Sequence, residues 1–306
     1  MSEDIRPDNP LIIQSDRTIL VEVNAPRYAE ARDALVAFAE LEKSPEHIHT
    51  YRVTPLSIWN ARASGHSADD MVEALRRFAK FPPPEHVLTE MHEYASRYGR
   101  LTMVREDDDL LLHADDPILC EELAHQETLK EMLADRLDTT TFRVPSICRG
   151  RLKQALIKVG YPADDLAGYR DGAPLPVHLS DRTAAGESFA PRSYQTEAAA
   201  AFHAGGSNRG GSGVIVLPCG AGKTIVAMTC MAEVQTATLI LATNVTAVRQ
   251  WIAEILDKTS VTEDQIGEYS GSRKEIRPIT VTTYQIMTYR KSGEETFEHL
   301  KLFDEL

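Results

Sequence analysis

No run of eighteen apolar residues occurs, so no transmembrane helix is expected. The opening residues, Met1 to Asp8, are acidic and lack an apolar stretch, so no secretory leader is expected. No C-x-x-C spacing occurs. Cys120, Cys148, Cys219 and Cys230 lie scattered with no histidine pair beside them, so the expectation is reduced thiols in the cytoplasm and no zinc site. His47 and His49 would share one face of a strand, but no further ligand lies close in sequence, and a metal role is not expected. No internal repeat is visible. Basic residues are outnumbered, 33 against 46, and the net charge of −13 argues against non-specific coating of nucleic acid.

The length of 306 residues suggests two domains, perhaps three small ones, and 42% hydrophobic residues suffice for sizeable cores. The acid is unevenly spread. Residues 190–306 hold 11 basic and 13 acidic side chains, whereas residues 1–189 hold 22 and 33. The C-terminal part can therefore still carry a local basic face.

Leu11–Gln14 and Thr18–Val23 read as strands around a turn at Ser15-Asp16-Arg17. After Pro26, apolar residues at Ala31, Leu35, Phe38, Ala39 and Leu41 predict a helix that Pro45 ends. Thr54-Pro55 reads as N-cap and first helical residue, and Ser67-x-x-Asp70 as a capping box. A third helix follows Pro82-Pro83-Pro84, and residues 100–113 read as a hairpin around Asp107 to Asp109. Three helices and a hairpin make a winged-helix-like unit. Its third helix carries Glu85, Glu90 and Glu93, which favours protein contact over phosphate contact. Residues 180–190 are small and polar, a linker by composition. Beyond them, Val214–Leu217, Thr238–Ala242 and Ile279–Thr283 are short apolar runs separated by helical stretches, the pattern of a parallel sheet.

Val214-Ile-Val-Leu-Pro-Cys-Gly220-Ala221-Gly222-Lys223-Thr224 carries the chemistry. The strict P-loop asks for glycine where Leu217 stands, but Gly-x-Gly-Lys-Thr between a strand and a helix is retained. Gly220 and Gly222 let backbone N–H groups approach phosphate oxygens, and a helix N-terminus adds positive potential. Lys223 would reach the β/γ-phosphates of ATP and the Thr224 hydroxyl would ligate Mg²⁺. Upstream, Gln195 of Arg192-Ser-Tyr194-Gln195 offers the donor and acceptor that match the adenine N6/N7 edge, with Phe189 or Tyr194 packing on the base. Downstream lie Thr243-Asn244, Arg249-Gln250-Trp251 and Thr282-Thr283-Tyr284-Gln285.

This set resembles the first motor lobe of superfamily 2 helicases. Arg192 and Gln195 match the Q motif, Gly220 to Thr224 motif I, Thr243 to Trp251 motif Ia, and Thr282 to Gln285 the motif before Walker B. The resemblance implies ATP binding through Arg192, Gln195, Gly220, Ala221, Gly222, Lys223 and Thr224. It also implies DNA-backbone contact by Thr243, Asn244, Gln250, Trp251, Thr282, Thr283 and Tyr284.

The Pro218-Cys219 of motif I, Gln250-Trp251, Glu46–Trp59 and Tyr161–Tyr169 are further similar to the XPB DNA-repair helicases. That resemblance implies ATP-driven 3′–5′ movement on DNA in repair or promoter opening. The expected fold class is α/β: a winged-helix-like α+β accessory region, then an incomplete RecA-like parallel α/β motor lobe. The expected domains are 1–116, an XPB-like N-terminal domain; 117–180, a damage-recognition-like segment; 181–190, a linker; and 191–306, the incomplete lobe.

Two features depart from the family. Asp304-Glu305 is rejected as Walker B because Lys301 interrupts the apolar strand and no histidine follows. Without that Asp-Glu pair and the second lobe, the chain is expected to be an N-terminal fragment that does not hydrolyse ATP. Arg105-Glu106-Asp107 imitates the family's Arg-Glu-Asp element but lies in the hairpin, where a solvated turn is expected. Two competing readings stand beside the helicase: a restriction-type P-loop translocase subunit, and a non-enzymatic module whose acidic residues 1–180 recruit a repair nuclease.

Overall fold

The computed structural model describes residues 5–168, 172–207, 210–290, 297 and 299–303. Asp304 and Glu305, rejected above as Walker B, and Tyr169 lie outside the described residues. The chain divides into two compact units, Met1–Ala167 and Gly168–Leu306.

Unit 1 opens with the hairpin β1 (Leu11–Ile13) and β2 (Thr18–Glu22). The turn holds because Arg17 takes a left-handed φ of 69° and the Asp16 carboxylate accepts the Thr18 N–H at 3.0 Å. Helix α1 (Tyr28–Leu35), strands β3 (Glu40–Lys43) and β4 (Ile48–Arg52), and helices α2 (Pro55–Ala63), α3 (Ala68–Phe78) and α4 (Glu85–Arg97) follow. The antiparallel sheet runs β1-β2-β4-β3. Here the predicted helix through Leu41 stops at Leu35, and residues 40–43 form the edge strand β3 instead. Pairing with β4 satisfies backbone groups that a continued helix would have left open on that strand. The capping signals are realised: Thr54 accepts the Ser57 N–H at 3.0 Å, and Ser67 the Asp70 N–H at 3.0 Å.

The hairpin β5 (Leu101–Glu106) and β6 (Asp109–Ala114) does not serve as a wing for α2 to α4. With β7 (Asp135–Arg136), β8 (Thr141–Val144) and β9 (Ala163–Asp165) it forms a second sheet, ordered β7-β8-β6-β5-β9. Alternation decides this: Leu101, Met103, Leu110 and Leu112 face a core closed by α5 (Pro117–Ala124) and α6 (Arg149–Val159). The first core ends at Ala95 and the second begins at Leu101, so the packing break lies near residue 98 rather than at 116. Arg97 and Arg100 bracket the Tyr161 ring at 5.7 Å each across that break. Arg105, read as part of a solvated turn, is instead half-buried, with two guanidinium nitrogens out of reach of solvent.

Unit 2 begins before the composition-defined linker. Leu175 and Val177 belong to its core, and the Leu175 N–H bonds to the Gln235 carbonyl at 2.9 Å. Part of residues 180–190 is strapped down as well, since the Ala184 N–H donates to Asp257 at 2.8 Å. Then come α7 (Ser193–His203), α8 (Lys223–Val234), β10 (Thr238–Ala242), α9 (Val245–Lys258), β11 (Ile266–Tyr269), β12 (Ile279–Thr283) and α10 (Tyr284–Met287). The sheet is parallel, ordered β10-β12-β11. Strand β11 was not legible in sequence because it has only four residues, one of them Gly267. Conversely, Val214–Leu217 is not a strand: Val214 is 89% and Val216 86% exposed. Among the described residues nothing pairs with the outer edge of β10.

Among the ion pairs of the described residues of unit 1, Asp165 is the most enclosed partner, bonded to Arg149 at 2.8 Å and Lys153 at 2.9 Å. Burial raises its pKa, but the bonds from Arg149 and Lys153 outweigh this and hold it below the usual carboxylate value. A depressed folded pKa stabilises above the unfolded value near ~4 and loses that contribution as pH falls through it. We expect Asp165→Asn to cost about 2 kcal/mol in urea unfolding at neutral pH, with the difference from wild type shrinking below about pH 4.

Candidate nucleotide and DNA site

Residues 218–222 run into the N-terminus of α8 with Gly220 at φ 79° and Gly222 at φ 75°. Both values lie in the left-handed region, where glycine has no Cβ to clash. The loop is latched from α7. Tyr194 Oη and Gln195 Nε2 both donate to the Ala221 carbonyl, at 2.7 and 2.9 Å. Gln195 Oε1 accepts the Arg192 N–H at 2.8 Å, so this amide is engaged at both ends and only 4% exposed. Helix α7 packs on α8, with Ala199 buried and Ala198 partly buried, while Ala200 and Ala201 stay exposed.

The sequence assigned Gln195 to the adenine edge; the structure places it as a brace of the phosphate loop. Gly222 is part of that brace, because a Cβ there would lie 2.5 Å from Gln195 Nε2. Lys223 Nζ donates to the Pro218 carbonyl at 3.0 Å, folding over the loop that would hold phosphate. Thr224 lies in the first turn of α8, half-buried.

A cavity of about 770 Å³ opens beside Lys223, between Val226, Cys230 and Val234 of α8 and Leu239 to Leu241 of β10. Trp251 lines it, so this predicted DNA residue faces an apolar groove. Among the described lining residues there is no Asp or Glu. Mg²⁺ is usually held by one or two carboxylates together with phosphate oxygens. Lys223 lines this cavity, whereas Thr224 lies outside its lining.

The predicted DNA segments converge at the C-terminal edge of the parallel sheet. Ala242 of β10 lies opposite Thr283 of β12, and each strand opens into its motif. Asn244 caps α9 by accepting the Ala247 N–H at 2.9 Å, and Gln285 Nε2 donates to the Thr243 carbonyl at 3.1 Å, tying the two segments together. Thr243, Asn244 and Gln250 are exposed, and Tyr284 is 52% exposed. Thr282 and Thr283 depart from the expectation: both are buried in β12, where alternating side chains enter the two covered faces. They shape the edge from within. Sequence reasoning missed Tyr194 as a loop brace and Gln285 as a tie, although both stand inside quoted motifs.

A glycine loop at a helix N-terminus, beside a parallel sheet whose strand ends carry polar segments, is the arrangement that the resemblance to the first motor lobe of superfamily 2 helicases implies. Residues 188–306 match the family described as type III restriction enzyme, res subunit, and residues 11–138 the one described as helicase conserved C-terminal domain. The chain is 47% identical to the DNA 3′-5′ helicase XPB of Kineococcus radiotolerans, over 97% of this chain and 51% of that protein. It is 48% identical to the DNA 3′-5′ helicase XPB of Mycobacterium tuberculosis, over 97% of this chain and 52% of the relative. A relative from Antonospora locustae, named general transcription and DNA repair factor IIH helicase/translocase subunit XPB, is 29% identical over 93% of this chain and 42% of its own length. The chain belongs to the XPB-type helicases, and it spans about half the length of these curated relatives.

Gly222→Ala should strain φ and push Gln195 off Ala221. We expect a loss of about 1–2 kcal/mol in thermal unfolding and faster amide exchange across residues 218–222, read by hydrogen exchange.

Proposed function

We propose that this chain supplies the nucleotide-binding wall and part of the DNA-tracking edge of an ATP-dependent 3′–5′ DNA helicase acting in repair, in the cytoplasm. The observation that carries the reading is the braced loop Pro218–Gly222 at the α8 N-terminus. Its left-handed glycines leave room for phosphate oxygens to approach the backbone, and Lys223 can add a charge-assisted bond once released from Pro218. ATP is the nucleotide, and Mg²⁺ would arrive on its phosphates. With no carboxylate assigned to hold the metal or orient water, we read the chain as one that binds nucleotide weakly without turnover.

DNA lies along Thr243, Asn244, Gln250 and Tyr284, where hydroxyl and amide groups hold backbone without reading sequence. Residues 1–189, with 33 acidic against 22 basic side chains, favour a protein partner, with a repair nuclease as the class. Similarity over 97% of the chain, well beyond the motor half, favours this reading over a restriction-type translocase.

A fluorescent ATP analogue should bind wild type weakly and Lys223→Ala about tenfold more weakly still, roughly 1.4 kcal/mol. No phosphate release is expected with DNA present. A DNA-stimulated rate abolished by Lys223→Ala would overturn the inert part of the proposal. Tyr284→Ala should weaken single-stranded DNA binding by about 1–3 kcal/mol in fluorescence anisotropy if a base stacks there. An unchanged affinity would remove Tyr284 from the path.

A further inference from the structure

Helix α6 presents three distinct faces. Leu152 and Leu156 are fully buried in the second core of unit 1. Arg149 and Lys153, one turn apart, are both engaged by Asp165. The third face carries Arg151, Gln154, Ala155 and Lys158, at the i, i+3, i+4 and i+7 spacing that sets side chains in one row. Opposite it stands the turn at residues 127–132. Between the two opens a cavity of about 300 Å³, lined by Thr128, Met132, Arg151, Gln154, Ala155 and Lys158.

The cavity is apolar at its floor and polar at its rim. Met132 is buried and Ala155 half-buried, whereas Thr128, Arg151, Gln154 and Lys158 are exposed. Leu129 on the turn and Leu152 and Leu156 on the helix are buried behind the two walls, so core packing holds the cavity open. Among the described residues, no hydrogen bond or ion pair engages the side chains of Thr128, Arg151, Gln154 or Lys158. Two cations are thus left without a carboxylate in residues 1–189, where 33 acidic side chains outnumber 22 basic ones. Arg100, Arg136 and Arg143 of the same unit each have one. Residues 149–160 themselves contain no Asp or Glu.

We propose that this cavity docks a short acidic and apolar segment of a partner protein. One apolar side chain sits on Met132 and Ala155, and a carboxylate on either side of it pairs with Arg151 and with Lys158. The two cations stand two helical turns apart, about 10 Å along the axis, which suits two separate carboxylates. Alternate residues of an extended peptide share one face, so the pattern acidic-x-apolar-x-acidic brings all three groups to the cavity together. A nucleic-acid backbone fits less well. It is a continuous polyanion, and Glu127 and Glu131 stand exposed on the turn beside the cavity. The site lies within unit 1 and is independent of the nucleotide and DNA residues, which lie in unit 2.

The test is fluorescence anisotropy of the whole chain with a labelled peptide, Gly-Asp-Glu-Ser-Leu-Ser-Glu-Asp-Gly. Saturable binding that weakens with added salt is expected. Arg151→Gln and Lys158→Gln should each weaken it roughly 3–5-fold, and Arg151→Glu combined with Lys158→Glu by about tenfold or more. Both side chains are exposed, so circular dichroism should show an unchanged fold. Replacing the peptide's leucine by serine should weaken binding about fivefold, because the apolar floor then loses its partner. Lys43→Glu, on the exposed strand β3, is the control for net charge. Absence of saturable binding overturns the proposal, as does an equal loss from Lys43→Glu. If inorganic phosphate displaces the peptide and the serine peptide binds as well as the leucine one, the cavity is a simple oxyanion site and the proposal falls. If an oligothymidylate displaces the peptide and its own binding weakens with Arg151→Gln, the cavity serves nucleic acid and the proposal falls.

Discussion

Strand β12 is hydrogen-bonded to β10 on one side and β11 on the other, and all five of its residues are buried. A strand can bury its polar backbone in this way only if both edges are paired, because each unpaired buried amide or carbonyl costs about 1–3 kcal/mol. That requirement sets the register of both flanking strands. Once Ala242 stands opposite Thr283 and Tyr269 opposite Thr282, three separate loops must emerge at one edge. The polar surface for which unit 2 is read is a consequence of that pairing.

The phosphate loop follows a different constraint. It is mostly exposed, and its conformation comes from α7 rather than from the sheet. The Ala221 carbonyl accepts from both Tyr194 and Gln195, and Gln195 can approach only because Gly222 lacks a Cβ. A motif usually described by its glycines therefore depends equally on two residues 26 and 27 positions upstream. The loop is shaped while Val214–Leu217 remains outside the sheet, so loop geometry and strand pairing are separable in this molecule.

In unit 1 many of the acidic side chains are engaged in local ion pairs, which leave the net negative charge of the region unchanged. Arg100 binds Asp115 and Asp116, Arg143 binds Asp109 and Asp135, and Asp165 draws in Arg149 and Lys153. Exposed pairs of this kind contribute little each, whereas the enclosed Asp165 cluster fixes where β9 meets α6. Arg97 and Arg100 around Tyr161 add a polar seam between the two cores.

Local chemistry was legible in the amino-acid sequence: the caps at Thr54 and Ser67, the turn at Arg17, and the Gly-Lys-Thr loop with its flanking motifs. Each is set by a few adjacent residues and by short-range sterics or hydrogen bonds. Pairing across distance was not legible. Leu41 fits a helical spacing, yet β4 recruits it as a strand; the hairpin at 101–114 fits a wing, yet its inward leucines meet α5 and α6. Thr282 and Thr283 fit a phosphate contact, yet sheet pairing buries them. The sequence by itself determined the family and the loop chemistry, because those reside in contiguous residues. Only the tertiary structure decided which side chains reach the surface, because burial depends on partners far away in the chain.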